Sequence, residues 1–77
     1  MEASLAIFPI SRAKETLDSI DFMQTIPYTR EELVHFIHRN IDTGYTVYEM
    51  LQDLEEYTLN KLVKFIKDNG YILITVV

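Results

Sequence analysis

The chain has 77 residues, a hydrophobic share of 48%, a formal net charge of −5 and no cysteine. That length means one domain over residues 1–77, since domains run from about 50 to 250 residues, and the missing cysteine excludes disulfides and thiolate metal ligands. Five tyrosines and four phenylalanines, with abundant Ile, Leu and Val, exclude a disordered chain. A unit this small buries only about 60–65% of its unfolded surface, so a partner or a second copy would help it. The first residues, Met1-Glu2-Ala3, carry no basic region, and no apolar run approaches the roughly 18 residues that cross a bilayer. We therefore expect a soluble cytoplasmic protein without a membrane partner.

Residues Ser4 to Ile10 read as a short strand, with Pro9 suited to an edge or a strand end because it cannot donate to a ladder. Ser11 is placed to cap a helix from Arg12 to about Met23, with Ala13, Leu17, Ile20 and Phe22 facing inward. Thr25-Ile26-Pro27-Tyr28 reads as a break, because proline disfavours helix at the residue before it. Thr29 and Glu32 form a capping-box pattern that opens the next helix. Leu33, Phe36, Ile37 and Ile41 mark its buried side, and Asp42-Thr43-Gly44 ends it.

The longest organised stretch runs from Thr46 to Gly70. Thr46 and Glu49 repeat the capping box, and Val47, Met50, Leu51 and Leu54 fall on one helical face. After a joint near Glu56-Tyr57-Thr58, Thr58 caps a second helix whose inner face is Leu59, Leu62, Val63 and Ile66, with Phe65 at its margin. Gly70 is suited to a left-handed helix end. Tyr71 to Val77 then turns β-branched and aromatic, which predicts a strand. The two terminal strands each need a backbone partner, and the simplest one is the other. Because Tyr71 to Val77 is almost continuously apolar, it is either covered on both faces by the protein's own helices or joined to a second copy as a homodimer.

A helix, a tight joint, a second helix ending in Asn69-Gly70-Tyr71-Ile72 and then a strand resembles the core of the winged helix-turn-helix superfamily, over about residues 29–77. The resemblance implies that the helix at about 58–69 is a recognition helix and that the glycine releases the chain into a wing. The expected fold is α+β and mostly helical: three to four short helices with a two-stranded ribbon made by the N- and C-terminal segments, winged-helix-like.

Charge is segregated along the chain. Residues 46–57 hold Glu49, Asp53, Glu55 and Glu56 with no base, for −4, while residues 58–77 hold Lys61, Lys64 and Lys67 against Asp68, for +2. In the recognition-helix reading Asn60 would pair with an adenine edge, and Lys61, Lys64 and Lys67 would reach phosphates or guanine. The overall acidity opposes that, because nucleic-acid affinity comes largely from neutralising phosphates. Glu55 and Glu56 would also stand where a DNA backbone passes. Glu49, Asp53 and Glu56 fall at i, i+4 and i+7, with Tyr48 and Gln52 beside them, an acidic stripe suited to a basic partner. The alternative for such charged faces is plain solvation, and for the tyrosines that they close the ends of the core.

Chemistry has little foothold. Glu31, His35 and His38 share a helical face, but nothing supplies the third firm ligand and supporting groups of a zinc site. Ser4, Ser11 and Ser19 lack a glycine elbow, and the glycines Gly44 and Gly70 serve turns instead of a phosphate cradle. We expect no enzyme and no cofactor. The expected function is a small acidic regulatory or adaptor protein acting through protein–protein contact, the alternative being a winged-helix DNA-binding regulator that uses the helix at about 58–69.

Overall fold

The computed structural model describes residues 3–14 and 25–76. The elements are β1 (Ser4–Pro9), a 3₁₀ turn (Ile10–Arg12), β2 (Thr25–Pro27), α1 (Arg30–Asn40), α2 (Val47–Gln52), α3 (Leu59–Asp68) and β3 (Tyr71–Val76). The architecture is α+β. Among the described residues, three helices lie against a three-stranded antiparallel sheet in the order β2-β1-β3.

The two ends of the chain do pair. β1 runs antiparallel to β3 from Ser4 opposite Val76 to Pro9 opposite Tyr71. The expected two-stranded ribbon has a further member, because Thr25–Pro27 is a strand instead of a mere break and pairs with Ser4–Ala6. Proline is tolerated there for a simple reason. Ala3 accepts from the Tyr28 amide at 3.0 Å, and antiparallel ladders alternate bonded and non-bonded pairs, so Pro27 opposite Ser4 sits where no inward donor is needed.

Ser11 lies inside the 3₁₀ turn, which Pro9 precedes without a side-chain cap bond, and helical backbone begins at Ala13 and Lys14. Of the helix expected from Arg12 to Met23, residues 15–24 lie outside the described residues.

Each helix start follows its capping residue. Thr29 Oγ1 accepts from the Glu32 amide at 3.2 Å and Thr58 Oγ1 from the Lys61 amide at 3.3 Å. Thr46 and Glu49 complete a reciprocal box, with Glu49 N donating to Thr46 Oγ1 at 3.1 Å and Thr46 N to Glu49 Oε1 at 3.3 Å. These bonds satisfy amides that the helix itself leaves unpaired. At the far end of α3, Gly70 takes φ +91°, the left-handed turn that lets the chain reverse into β3.

Leu5, Leu33, Val34, Ile37, Met50, Leu62 and Ile66 make one buried cluster, and Ile7, Ile26, Tyr71 and Leu73 pack on it from the sheet. Alternation along β1 therefore turns Leu5 and Ile7 toward the helices, while Ala6 and Phe8, both buried, belong to the other face. Val34, assigned to no face by the apolar spacing of α1, is fully buried. Leu54, expected inward, is 70% exposed, because α2 stops at Gln52 and the chain has already left the helix when it reaches that residue.

Ile66 is fully buried at the centre of α3. Ile66→Ala should therefore lower unfolding stability by about 2–5 kcal/mol, whereas Val63→Ala, at a half-buried position, should cost clearly less. Urea unfolding of both variants measures the difference.

Candidate docking surface

The surface is built at the junction of α2 and α3. α2 ends at Gln52, and Asp53 adopts φ −90° and ψ 91°, outside the helical region. Its carboxylate is then in reach of the turn that follows and accepts from the Glu56 amide at 3.0 Å, an aspartate-capped turn. Residues 54–57 form that turn and Thr58 opens α3.

Arg30, the first residue of α1, holds the junction from outside. Its Nε donates to the Tyr57 carbonyl at 2.5 Å, and one terminal nitrogen donates to the carbonyls of Met50 at 2.7 Å and Asp53 at 3.0 Å. These acceptors lie at the C-terminal end of α2 and across the joint, where helix carbonyls have no intrahelical donor and a cation is favoured. Sequence reasoning missed this role. The available signal was a basic residue in the first turn of a helix, where the helix dipole disfavours it; such a residue needs an acceptor elsewhere.

The expected acidic stripe is placed differently from a helical face. Tyr48, Glu49 and Gln52 are exposed on α2. Asp53 is the capping residue and Glu56 belongs to the turn, so the i, i+4, i+7 geometry does not continue through them. The early helix end is the physical reason. Glu55 and Glu56 instead belong to the turn and are exposed, and Tyr48 on α2 and Leu54 in the turn are 71% and 70% exposed. Among the described residues the only ion pair is Lys64–Asp68, so Glu49, Asp53, Glu55 and Glu56 have no cationic partner there. Arg30 gives its guanidinium N–H groups to carbonyls and forms no ion pair with these four carboxylates.

Asn60, Lys61, Lys64 and Lys67 are all exposed on α3. Two of the lysines are engaged: Lys61 Nζ donates to the Glu55 carbonyl at 3.0 Å, and Lys64 Nζ meets Asp68 Oδ2 at 2.7 Å. Beside this helix lies a groove of about 560 Å³ with Ile37, Met50, Leu62 and Phe65 among its apolar lining. Its charged lining is Asp42, Glu56 and Asp68 against Lys61 and Lys64, a balance of −1. That is not a continuous positive track for a phosphate backbone.

Tyr45 and Tyr57 meet edge to face over the groove, with ring centroids 6.5 Å apart. The Tyr57 phenol is raised above its ordinary value by burial first, then by Tyr45 and by the carboxylates of Glu56, Asp53 and Glu49. Among the described residues, Glu31, His35 and His38 included, no group of three or more potential metal ligands comes together.

Two outcomes follow from this geometry. Arg30→Met should cost about 1.5–3 kcal/mol in denaturant unfolding, and Arg30→Lys should recover little, since one ammonium cannot reproduce the planar fork. In an alkaline titration followed by tyrosinate absorbance, a component above pH 10 should disappear in Tyr57→Phe. The sign for stability is fixed: with the folded value raised, the unfolded chain ionises first, so the wild type loses stability as pH climbs past 10.0 and Tyr57→Phe loses less.

No family model matches the chain, and comparison with curated proteins and with solved structures returns no significant match.

Proposed function

We propose that this chain is a non-enzymatic regulatory or adaptor module that docks its acidic junction on a basic surface of another polypeptide. One observation carries the reading: four exposed carboxylates, Glu49, Asp53, Glu55 and Glu56, make no ion pair among the described residues, the nearby Arg30 and Lys61 bonding backbone carbonyls instead. Unpaired like charges raise the local negative potential and steer a cationic partner toward it. Tyr48 and Leu54 add exposed apolar area at the same place, and tyrosine is favoured in interfaces. Gln52 supplies a neutral hydrogen-bonding group between them.

A short helix pair followed by a strand supports a winged-helix-like version of this scaffold, with α3 in the recognition-helix place. The charge distribution favours protein over DNA on that scaffold. Lys61 is drawn back to the Glu55 carbonyl and Lys64 is paired with Asp68, so Lys67 is the one lysine of α3 with no hydrogen bond among the described residues. A cysteine-free composition supports a cytoplasmic setting.

Two titrations at low salt test the reading, one with mixed-sequence duplex DNA and one with a lysine/leucine amphipathic peptide. The peptide should bind, weaken as salt rises, and lose about tenfold or more in affinity when Glu55→Lys and Glu56→Lys are combined. The DNA should not bind. Micromolar DNA affinity that is lost on changing Lys61, Lys64 and Lys67 to glutamine would establish the DNA-regulator alternative instead.

A further inference from the structure

The edges of the sheet are unequal. β2 is three residues long and ends in Pro27, whose ring leaves no donor on the outer side. Short length and proline are two of the devices that keep an edge from recruiting another strand. β3 has neither. It is six residues long, Tyr71-Ile72-Leu73-Ile74-Thr75-Val76, with no charge and no proline, and among the described residues its only strand partner is β1.

The ladder determines which backbone groups of β3 are free. Ile10 N donates to the Gly70 carbonyl at 2.9 Å, so that pair is a bonded one. Bonded and non-bonded pairs alternate in an antiparallel ladder. Ile72, Ile74 and Val76, opposite Phe8, Ala6 and Ser4, therefore direct their amides and carbonyls at β1. Tyr71, Leu73 and Thr75, opposite Pro9, Ile7 and Leu5, direct theirs away from it. Pro9 is consistent with this, because it sits at a non-bonded position where β3 asks for no donor.

We propose that β3 pairs edge to edge with β3 of a second copy of this chain, antiparallel, on a two-fold axis at Leu73. The outward groups of Tyr71, Leu73 and Thr75 are self-complementary in that one register. Leu73 bonds Leu73 of the second copy, Tyr71 bonds Thr75, and Thr75 bonds Tyr71, each pair exchanging two hydrogen bonds. The same register sets Ile72 against Ile74 of the second copy at the closer, non-bonded spacing, where β-branched side chains contact best. The three-stranded sheets become one continuous sheet. β3 itself carries no charged residue, so no like charges meet along the paired strands. The acidic junction of α2 and α3 plays no part in this contact, so the dimer stands or falls separately from the docking reading.

The full chain is tested by sedimentation equilibrium from about 5 μM to about 500 μM, a span over which mass action resolves a weak dimer. The mass should rise from 9.1 kDa toward twice that value. Thr75→Pro deletes an outward amide at an exposed position and should weaken association at least about tenfold with the helical circular dichroism retained. Thr75→Lys, which keeps the amide but charges the edge, should weaken it in the same direction. Amide exchange provides an independent signature: protection of Tyr71, Leu73 and Thr75 should grow with protein concentration, while Ile72 and Ile74 stay protected throughout. A chain monomeric over the whole range, a dimer indifferent to both Thr75 variants, or concentration-dependent protection confined to residues other than Tyr71, Leu73 and Thr75 would overturn the proposal.

Discussion

The guanidinium of Arg30 is the contact on which the arrangement of the helices depends. α2 has six residues and only Met50 buried, too little to form on its own, since an isolated helix needs about 12–15 residues even with favourable composition. Its start is secured by the Thr46–Glu49 box. At its end the Tyr57 amide donates to the Asp53 carbonyl at 3.1 Å, and a side chain from α1 supplies further donors at the carbonyls of Met50, Asp53 and Tyr57. One residue thereby ties the start of α1 to the end of α2 and to the joint that precedes α3. The penalty of a cation at the N-terminus of its own helix is offset by its position at the C-terminus of another.

That contact also shapes the electrostatics. Because Arg30 bonds carbonyls, the carboxylates of Asp53, Glu55 and Glu56 stay free of ion pairs among the described residues, and those of Glu56, Asp53 and Glu49 act together on Tyr57. Lys61 follows the same pattern, giving its ammonium to the Glu55 carbonyl instead of to a carboxylate. Backbone satisfaction takes the available cations first, and the acidic surface is what remains. The sheet serves as the platform beneath: β1 lies in its centre, and Leu5 meets the buried residues of all three helices in one cluster.

Much of this was legible in the amino-acid order because it is local. The three threonine caps, the inward faces of α1 and α3 and the turn at Gly70 each depend on residues within about one helical turn of one another, so spacing alone exposes them. The pairing of the terminal segments followed from a simple accounting of unpaired backbone groups. Local pattern misled at α2, where Leu54 continues the apolar spacing although the helix ends at Gln52. It also hid β2, whose three residues are too few to show an alternation and include a proline.

By itself, then, the sequence determined the helix starts, the core faces, the division into an acidic and a basic half and the strand character of both ends. Only the tertiary structure decided where α2 stops, which strand lies in the middle of the sheet and which carboxylates go unpaired. The physical reason is distance along the chain. Arg30 reaches acceptors 20 to 27 residues away, and Leu5 meets Thr75 across the whole molecule; no periodicity encodes contacts that form only once the helices have packed on the sheet.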